Sequence, residues 1–217
     1  VKMKRGLTEL VFILDRSGSM SGLEGDTIGG YNSLLDKQRK EKGDCIITTV
    51  LFDDQYELLH DRIGIKGVAP VTRREYFVRG MTALLDAIGR TIDKTMNAQM
   101  NTAPDQRPEK TMMVIITDGM ENSSREYSYD KVRKMVEYQK EEYGWEIVFL
   151  GANIDAVETA ARFGVDKDHA ADYLADTKGT QLNYRVVSDA VSSVRQGRTI
   201  NEGWKERIDK DYRTRGR

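Results

Sequence analysis

Three short stretches of the 217-residue chain concentrate oxygen-bearing side chains. The first reads Asp15-Arg16-Ser17-Gly18-Ser19-Met20, which puts one carboxylate and two hydroxyls within five residues. Thr82 follows Gly80-Met81, and Asp118 stands within Thr117-Asp118-Gly119. Together Asp15, Ser17, Ser19, Thr82 and Asp118, with Thr117 beside them, offer two carboxylates and four hydroxyls and no soft ligand. That set suits a hard divalent cation. Mg²⁺ takes oxygen ligands in an octahedral array and keeps part of its water, so hydroxyls with one or two carboxylates suffice. Asp15 and Asp118 formally balance the two positive charges. With neutral hydroxyls as its nearest contacts, the ion stays electrophilic and accepts an anionic oxygen from outside, so a carboxylate on another molecule would complete the shell.

Residues so far apart in the chain meet only if the fold brings their loops together. Four apolar, β-branched runs, at 10–14, 46–52, 112–116 and 147–150, read as buried strands. Between them apolar residues recur at helical spacing: Leu23, Tyr31, Leu34 and Leu35; then Leu84, Leu85, Ile88, Ile92 and Met96; then Val132, Met135 and Val136. Two further helices are expected at 154–163 and 180–195, with a last strand at 169–174 between them. Weak alternation over 55–62, after the turn signal Asp53-Asp54, marks an antiparallel edge strand. The expected architecture is α/β: an open, doubly wound, mostly parallel six-stranded sheet with one antiparallel edge strand and helices on both faces. Such sheets bind ligands beyond the carboxyl ends of their strands, at a topological switch point. The three oxygen-bearing loops follow strands or open a helix at that edge.

Asp15-x-Ser17-x-Ser19, with Thr82 and Asp118 on later loops, resembles the metal ion-dependent adhesion site of the von Willebrand factor A domain family. The similarity spans about residues 7–196 in the order of motifs and of strands and helices. All five positions of the family pattern are filled, although Met81 stands where a second glycine is often found. The resemblance implies that Ser17 and Ser19 bind Mg²⁺ or Mn²⁺ directly. Asp15 would act largely through water while bracing its loop, and Thr82 and Asp118 would alternate between direct and water-mediated contact. It further implies a protein partner that donates an Asp or Glu carboxylate, and a binding module rather than an enzyme. In character the chain is similar to the intracellular, stand-alone bacterial members, which lack disulfides.

Each residue also has a plainer reading. Ser17 to Ser19 could simply turn the chain, with Ser19 or Ser21 capping the next helix, and Thr82 is a good cap for the second helix. An Asp118 left without a partner at the end of a central buried strand would be costly, and a cation removes that cost. Arg16 and Arg79 flank the rim and could guide an acidic partner, with exposed arginines that do nothing measurable as the plainer reading. Met20, Met81 and Met120 could form a deformable apolar collar, with packing at helix starts as the simpler explanation. The stretch 121–124 reads as a solvated loop or a helix start before Ser128, and Gly29-Gly30 as close packing against the sheet. Cys45 reads as a small buried apolar group, and neither His60 nor His169 as catalytic.

The totals bound the function classes. Thirty-four basic against 35 acidic residues give a net charge of −1, so no global field attracts nucleic acid or a membrane surface. A single cysteine can form neither an internal disulfide nor a thiolate metal site, and it fits a reducing compartment, the cytoplasm. No apolar run approaches the roughly 20 residues needed to cross a bilayer, and nothing near the N-terminus resembles an export signal. One domain over 1–197 is expected, followed by a charged tail over 198–217 whose seven Lys/Arg, four Asp/Glu and sparse apolar content suggest fraying. The alternative function is a Mg²⁺-dependent phosphohydrolase using Asp15 as nucleophile. It lacks the second carboxylate that such sites carry two residues later, where this chain has Ser17. A nucleophile elbow, a dinucleotide fingerprint and a Walker loop are all absent from the first strand's end.

Overall fold

The computed structural model describes residues 3–216. Six strands form one sheet in the order β3-β2-β1-β4-β5-β6. They are β1 (Lys4–Asp15), β2 (Asp44–Phe52), β3 (Tyr56–Gly64), β4 (Pro108–Thr117), β5 (Glu146–Gly151) and β6 (Ala170–Asp172). All neighbours are parallel except β2 and β3, which pair antiparallel, so the expected edge strand is present. Every residue of β1 from Leu7 to Asp15 is buried, as a central parallel strand covered on both faces requires. Its alternation sorts the core. Leu10, Phe12 and Leu14 join the apolar layer under α1 (Glu24–Lys40) and α5 (Thr177–Arg195), whereas Val11 and Ile13 join the layer under α2 (Leu84–Met100), α3 (Tyr129–Tyr143) and α4 (Ala156–Arg162).

The chain runs from β1 to β2 on one side and later returns to β4 on the other, which makes the β1/β4 seam the switch point. In register, Asp15 lies opposite Phe52 and Leu14 opposite Ile116, so Asp15 and Thr117 emerge at the same level. Helix ends follow local chemistry. Ser128, Asp155 and Asp176 cap α3, α4 and α5 by accepting from backbone N–H groups, and Gly144, at φ 62°, closes α3 in the left-handed region that favours glycine.

Three expectations need correction. Neither Ser19 nor Ser21 caps α1; the serines belong to a 3-10 turn at Gly18–Met20, and α1 starts only at Glu24. Gly30 packs against α5 rather than the sheet, since a Cβ there would lie 2.4 Å from the Tyr184 ring, whereas Gly29 meets nothing within 4 Å. The last residues do not fray. They form α6 (Glu206–Arg215), which buries Ile208 in the core layer of α1 and α5. Trp204 Nε1 donates to the Asp168 carbonyl at 2.6 Å, Lys205 Nζ donates to the Ala170 carbonyl at 2.6 Å, and Arg215 bridges Asp176 and Asp211. Three apolar anchors, Ile200, Trp204 and Ile208, and a set of placed charges thus fasten a segment whose composition alone reads as solvated. The plain reading of Cys45 stands: it is buried, with its thiol pushed up to about 12 by that burial; His60 Nδ1 is 2.8 Å from Thr49 Oγ1.

Ile208→Ala should cost about 2 kcal/mol or more in urea unfolding, the usual penalty for emptying a buried aliphatic site. A frayed tail would leave the midpoint unchanged.

Candidate metal centre

At the β1/β4 seam the five oxygen-bearing residues form one connected group. Thr82 Oγ1 donates to Ser17 Oγ at 3.0 Å, Ser17 Oγ and Ser19 Oγ are 3.1 Å apart, and Ser19 Oγ donates to Asp118 Oδ1 at 2.5 Å. Asp15 lies beneath them. Its Oδ1 accepts from the Ser17 N–H at 2.7 Å and its Oδ2 from Thr117 Oγ1 at 2.6 Å, while Tyr76 donates to its backbone carbonyl at 2.5 Å. Asp15, Ser17, Thr82 and Asp118 are all buried. Gly119 keeps the approach clear, because a Cβ there would stand 3.1 Å from Ser19 Oγ and 3.4 Å from Thr82 Oγ1.

Both carboxylates take side-chain hydrogen bonds from neutral donors only. Burial raises the Asp15 carboxyl above its ordinary value, against the opposing hydrogen bonds from Ser17 and Thr117. Asp118 is pushed up to about 6, first by burial and further by the charge of Asp15, with the Ser19 hydrogen bond opposing. Its second oxygen, Oδ2, is buried without any partner. Two buried acids, one with an orphaned oxygen, beside three hydroxyls make a donor set that fits a hard dication. Among the described residues no group of three or more His, Cys, Asp or Glu could hold a metal, so a site here depends on the hydroxyls.

The loops are tied to one another from outside. Gly18 N donates to the Gly80 carbonyl at 3.1 Å and Arg79 N to the Arg16 carbonyl at 3.0 Å. Gly80 adopts φ +66°, and a Cβ there would lie 2.1 Å from Asp54 Oδ1, so only glycine fits. Arg16 is not an exposed rim residue: it is wholly buried, with Nε 3.2 Å from Asp53 Oδ2 and Nη1 2.6 Å from Glu57 Oε2. Arg79 Nε reaches the same Asp53 oxygen at 2.7 Å, and Ala83 N donates to the Asp53 carbonyl at 2.9 Å. Asp53 therefore fastens the Asp15–Met20 loop to the Thr82 loop.

Thr82 is not the cap of α2. The helix start is capped from across the site: Glu121 Oε2 accepts from Leu85 N at 2.9 Å and Ser124 Oγ from Asp86 N at 2.9 Å. In return the Asp86 carboxylate accepts from the backbone N–H groups of Arg125, Glu126 and Tyr127, each at 2.9 Å. Asn122 and Thr82 exchange side-chain and backbone bonds at 2.8 and 3.0 Å. The stretch 121–124 is thus a clasp rather than a solvated loop, and the free first-turn N–H groups of α2 were the signal that something had to cover them. Of the methionines, Met20 is packed inside, whereas Met81 and Met120 are exposed.

No protein-family model and no curated protein matches the sequence. Solved structures do match. Proximal thread matrix protein 1 from the mussel byssus superposes with a TM-score of 0.58 at 15% identity, over 88% of this chain and 48% of that one. Manganese-loaded TRAP protein of Plasmodium vivax gives 0.55 at 14% identity, over 82% and 72%. A von Willebrand factor type A structure from Catenulispora acidiphila gives 0.54 at 14% identity, over 89% and 43%. The mussel protein has also been solved with a zinc-occupied metal ion-dependent adhesion site, and there the TM-score is 0.57 at 18% identity, over 88% and 47%. The present chain spans about half the length of the mussel protein, at 48%. Identities this low speak for the fold.

Two outcomes follow from the geometry. Asp53→Asn removes one of the two carboxylates on buried Arg16, leaving Glu57, and should cost about 1–3 kcal/mol in denaturant unfolding. Asp118 has a folded-state pKa of about 6 against an ordinary 3.8, so its contribution to stability is full below pH 4 and is lost as pH rises through 6. In chelator at pH 7, Asp118→Asn should therefore melt higher than wild type, and the difference should vanish at pH 4. A variant that melts lower at pH 7 in chelator would contradict the assignment.

Proposed function

Since the chain has the von Willebrand factor A fold, we propose that it is a metal-dependent protein-interaction module, holding Mg²⁺ or Mn²⁺ at Asp15, Ser17, Ser19, Thr82 and Asp118. One observation carries this reading: the unbroken run of oxygen donors from Thr82 through Ser17 and Ser19 to Asp118, ending on an orphaned carboxylate oxygen. A divalent ion is in keeping with the manganese-loaded and zinc-occupied neighbours. Ser17 and Ser19 would contact it directly. Asp15, already committed to Ser17 N–H and Thr117, would brace the loop and act through water, and Thr82 and Asp118 would complete the protein's share. The bound ion supplies a Lewis-acid face to an anionic oxygen, here an Asp or Glu side chain of a partner protein.

The enzyme alternative fares poorly. An attacking carboxylate needs a free, accessible oxygen, and both oxygens of Asp15 are buried and hydrogen-bonded. Near-balanced charge gives no support to nucleic acid or anionic lipid as partner. No helix among the described residues is long and apolar enough to cross a membrane. The lone buried Cys45 favours the cytoplasm as the working compartment.

Millimolar Mg²⁺ or Mn²⁺ should stabilise the chain by about 2.7 kcal/mol at a hundredfold excess over Kd. The double variant Ser17→Ala, Ser19→Ala should fold in chelator and show no such gain. Equal melting temperatures for wild type in metal and in chelator would overturn the proposal.

A further inference from the structure

Among the described residues only two that are not glycine adopt a positive φ, Arg62 at 51° and Asn153 at 57°. Such backbone costs an ordinary residue energy and persists where the surroundings demand it. For Arg62 the demand is plain. It stands at an irregularity of the β2/β3 pairing, and its guanidinium reaches buried Glu9, with Nε 2.8 Å from Oε1.

Asn153 lies in the turn from β5 to α4. That turn is pinned at both ends, by Ala152 N donating to the Thr117 carbonyl at 3.0 Å and by Asp155 capping α4. Asn153 is exposed, so packing does not account for its side chain, and a glycine would make the same turn without strain. What the amide adds is a hydrogen bond: Nδ2 donates to the Asp118 carbonyl at 3.3 Å.

Asp118 has need of such a hold. It is followed by Gly119, which keeps the approach clear but, having no Cβ, leaves the backbone after Asp118 free to swivel. The peptide joining the two is a rigid plane. Its N–H edge is tied loosely, by Gly119 N to Thr117 Oγ1 at 3.4 Å, and its carbonyl edge by Asn153. With both edges held the plane is set, and the Asp118 carboxylate stays on Ser19 Oγ with its other oxygen unpartnered.

Resting on the metal reading above, we propose that Asn153 is a positioning residue of the metal centre, whose side-chain amide locks the Asp118–Gly119 peptide and so keeps the Asp118 carboxylate ready for the ion. It acts through Asp118, sparing the cost of ordering that ligand on binding.

The test compares calorimetric Mn²⁺ titration of the whole chain with melting in chelator, for wild type, Asn153→Gly and Asp155→Ala. Asn153→Gly keeps the left-handed turn and removes the amide. Its Kd for Mn²⁺ should rise about threefold to tenfold, while its melting temperature in chelator stays at the wild-type value. Asp155→Ala loosens the same turn by removing the α4 cap, so it should melt lower yet bind Mn²⁺ as wild type does. An unchanged Kd for Asn153→Gly would make Asn153 a turn residue only and overturn the assignment. Equal weakening by Asp155→Ala, or an Asn153→Gly variant that melts as low in chelator as Asp155→Ala, would overturn it too. A wild type that binds no Mn²⁺ would instead overturn the metal reading, and the assignment with it.

Discussion

Two carboxylates buried at one end of a sheet, with no cationic side chain on either, are the constraint around which this molecule is arranged. Asp15 ends β1 and Asp118 follows β4, on neighbouring parallel strands, so register alone brings them close. Ordinary core chemistry would remove such charges or pair them. Here they meet only hydroxyls and backbone N–H groups, and Asp118 keeps one oxygen with no partner. The pair is therefore costly when ionised. On the proposed reading that cost has a counterpart: an ion entering a site with its ligands already assembled would gain their full attraction without first ordering them.

Assembly of the proposed ligands depends on groups outside the oxygen cluster. Asp53 joins Arg16 on the first loop to Arg79 on the second and takes the Ala83 N–H as well. Glu121, Asn122, Ser124 and Asp86 join the second loop to the third through reciprocal side-chain and backbone bonds. All three loops are thus cross-braced in pairs, and the stretch after Asp118 also caps the helix that follows Thr82. Stability of α2 and geometry of the site are properties of the same hydrogen bonds, so a change at Glu121 or Asp86 would disturb both.

How far the sequence reveals this varies with the range of the interaction. The four buried strands, the edge strand and the five oxygen donors are legible because each rests on a local run, a turn signal or a short motif. Arg16 is misread as exposed because its partner, Asp53, is 37 residues away, and no local pattern joins them. Thr82 has the chemistry of a cap, but the helix takes its caps from Glu121 and Ser124. In the tail, Ile200, Trp204 and Ile208 are outnumbered by charges, so composition conceals the three residues that anchor it. Gly30 signals a close approach without saying to what, and Tyr184, the answer, lies on a helix late in the chain.

The choice of hydroxyls over further carboxylates at positions 17, 19 and 82 bears on what the site does. A third or fourth carboxylate would hold a dication more tightly and leave it saturated, with little attraction for an outside anion. Neutral Ser and Thr give up some of that grip and leave the ion electrophilic. An electrophilic centre open to solvent would still be hydrated, so selectivity for one kind of anion has to come from the surroundings. Around the site Arg16 is turned inward onto Asp53, while Arg79 and the side chains of Phe77, Met81 and Met120 are exposed. On the proposed reading, hydroxyl ligands would leave charge unsatisfied, and the residues around them would limit which carriers of opposite charge come near enough to satisfy it.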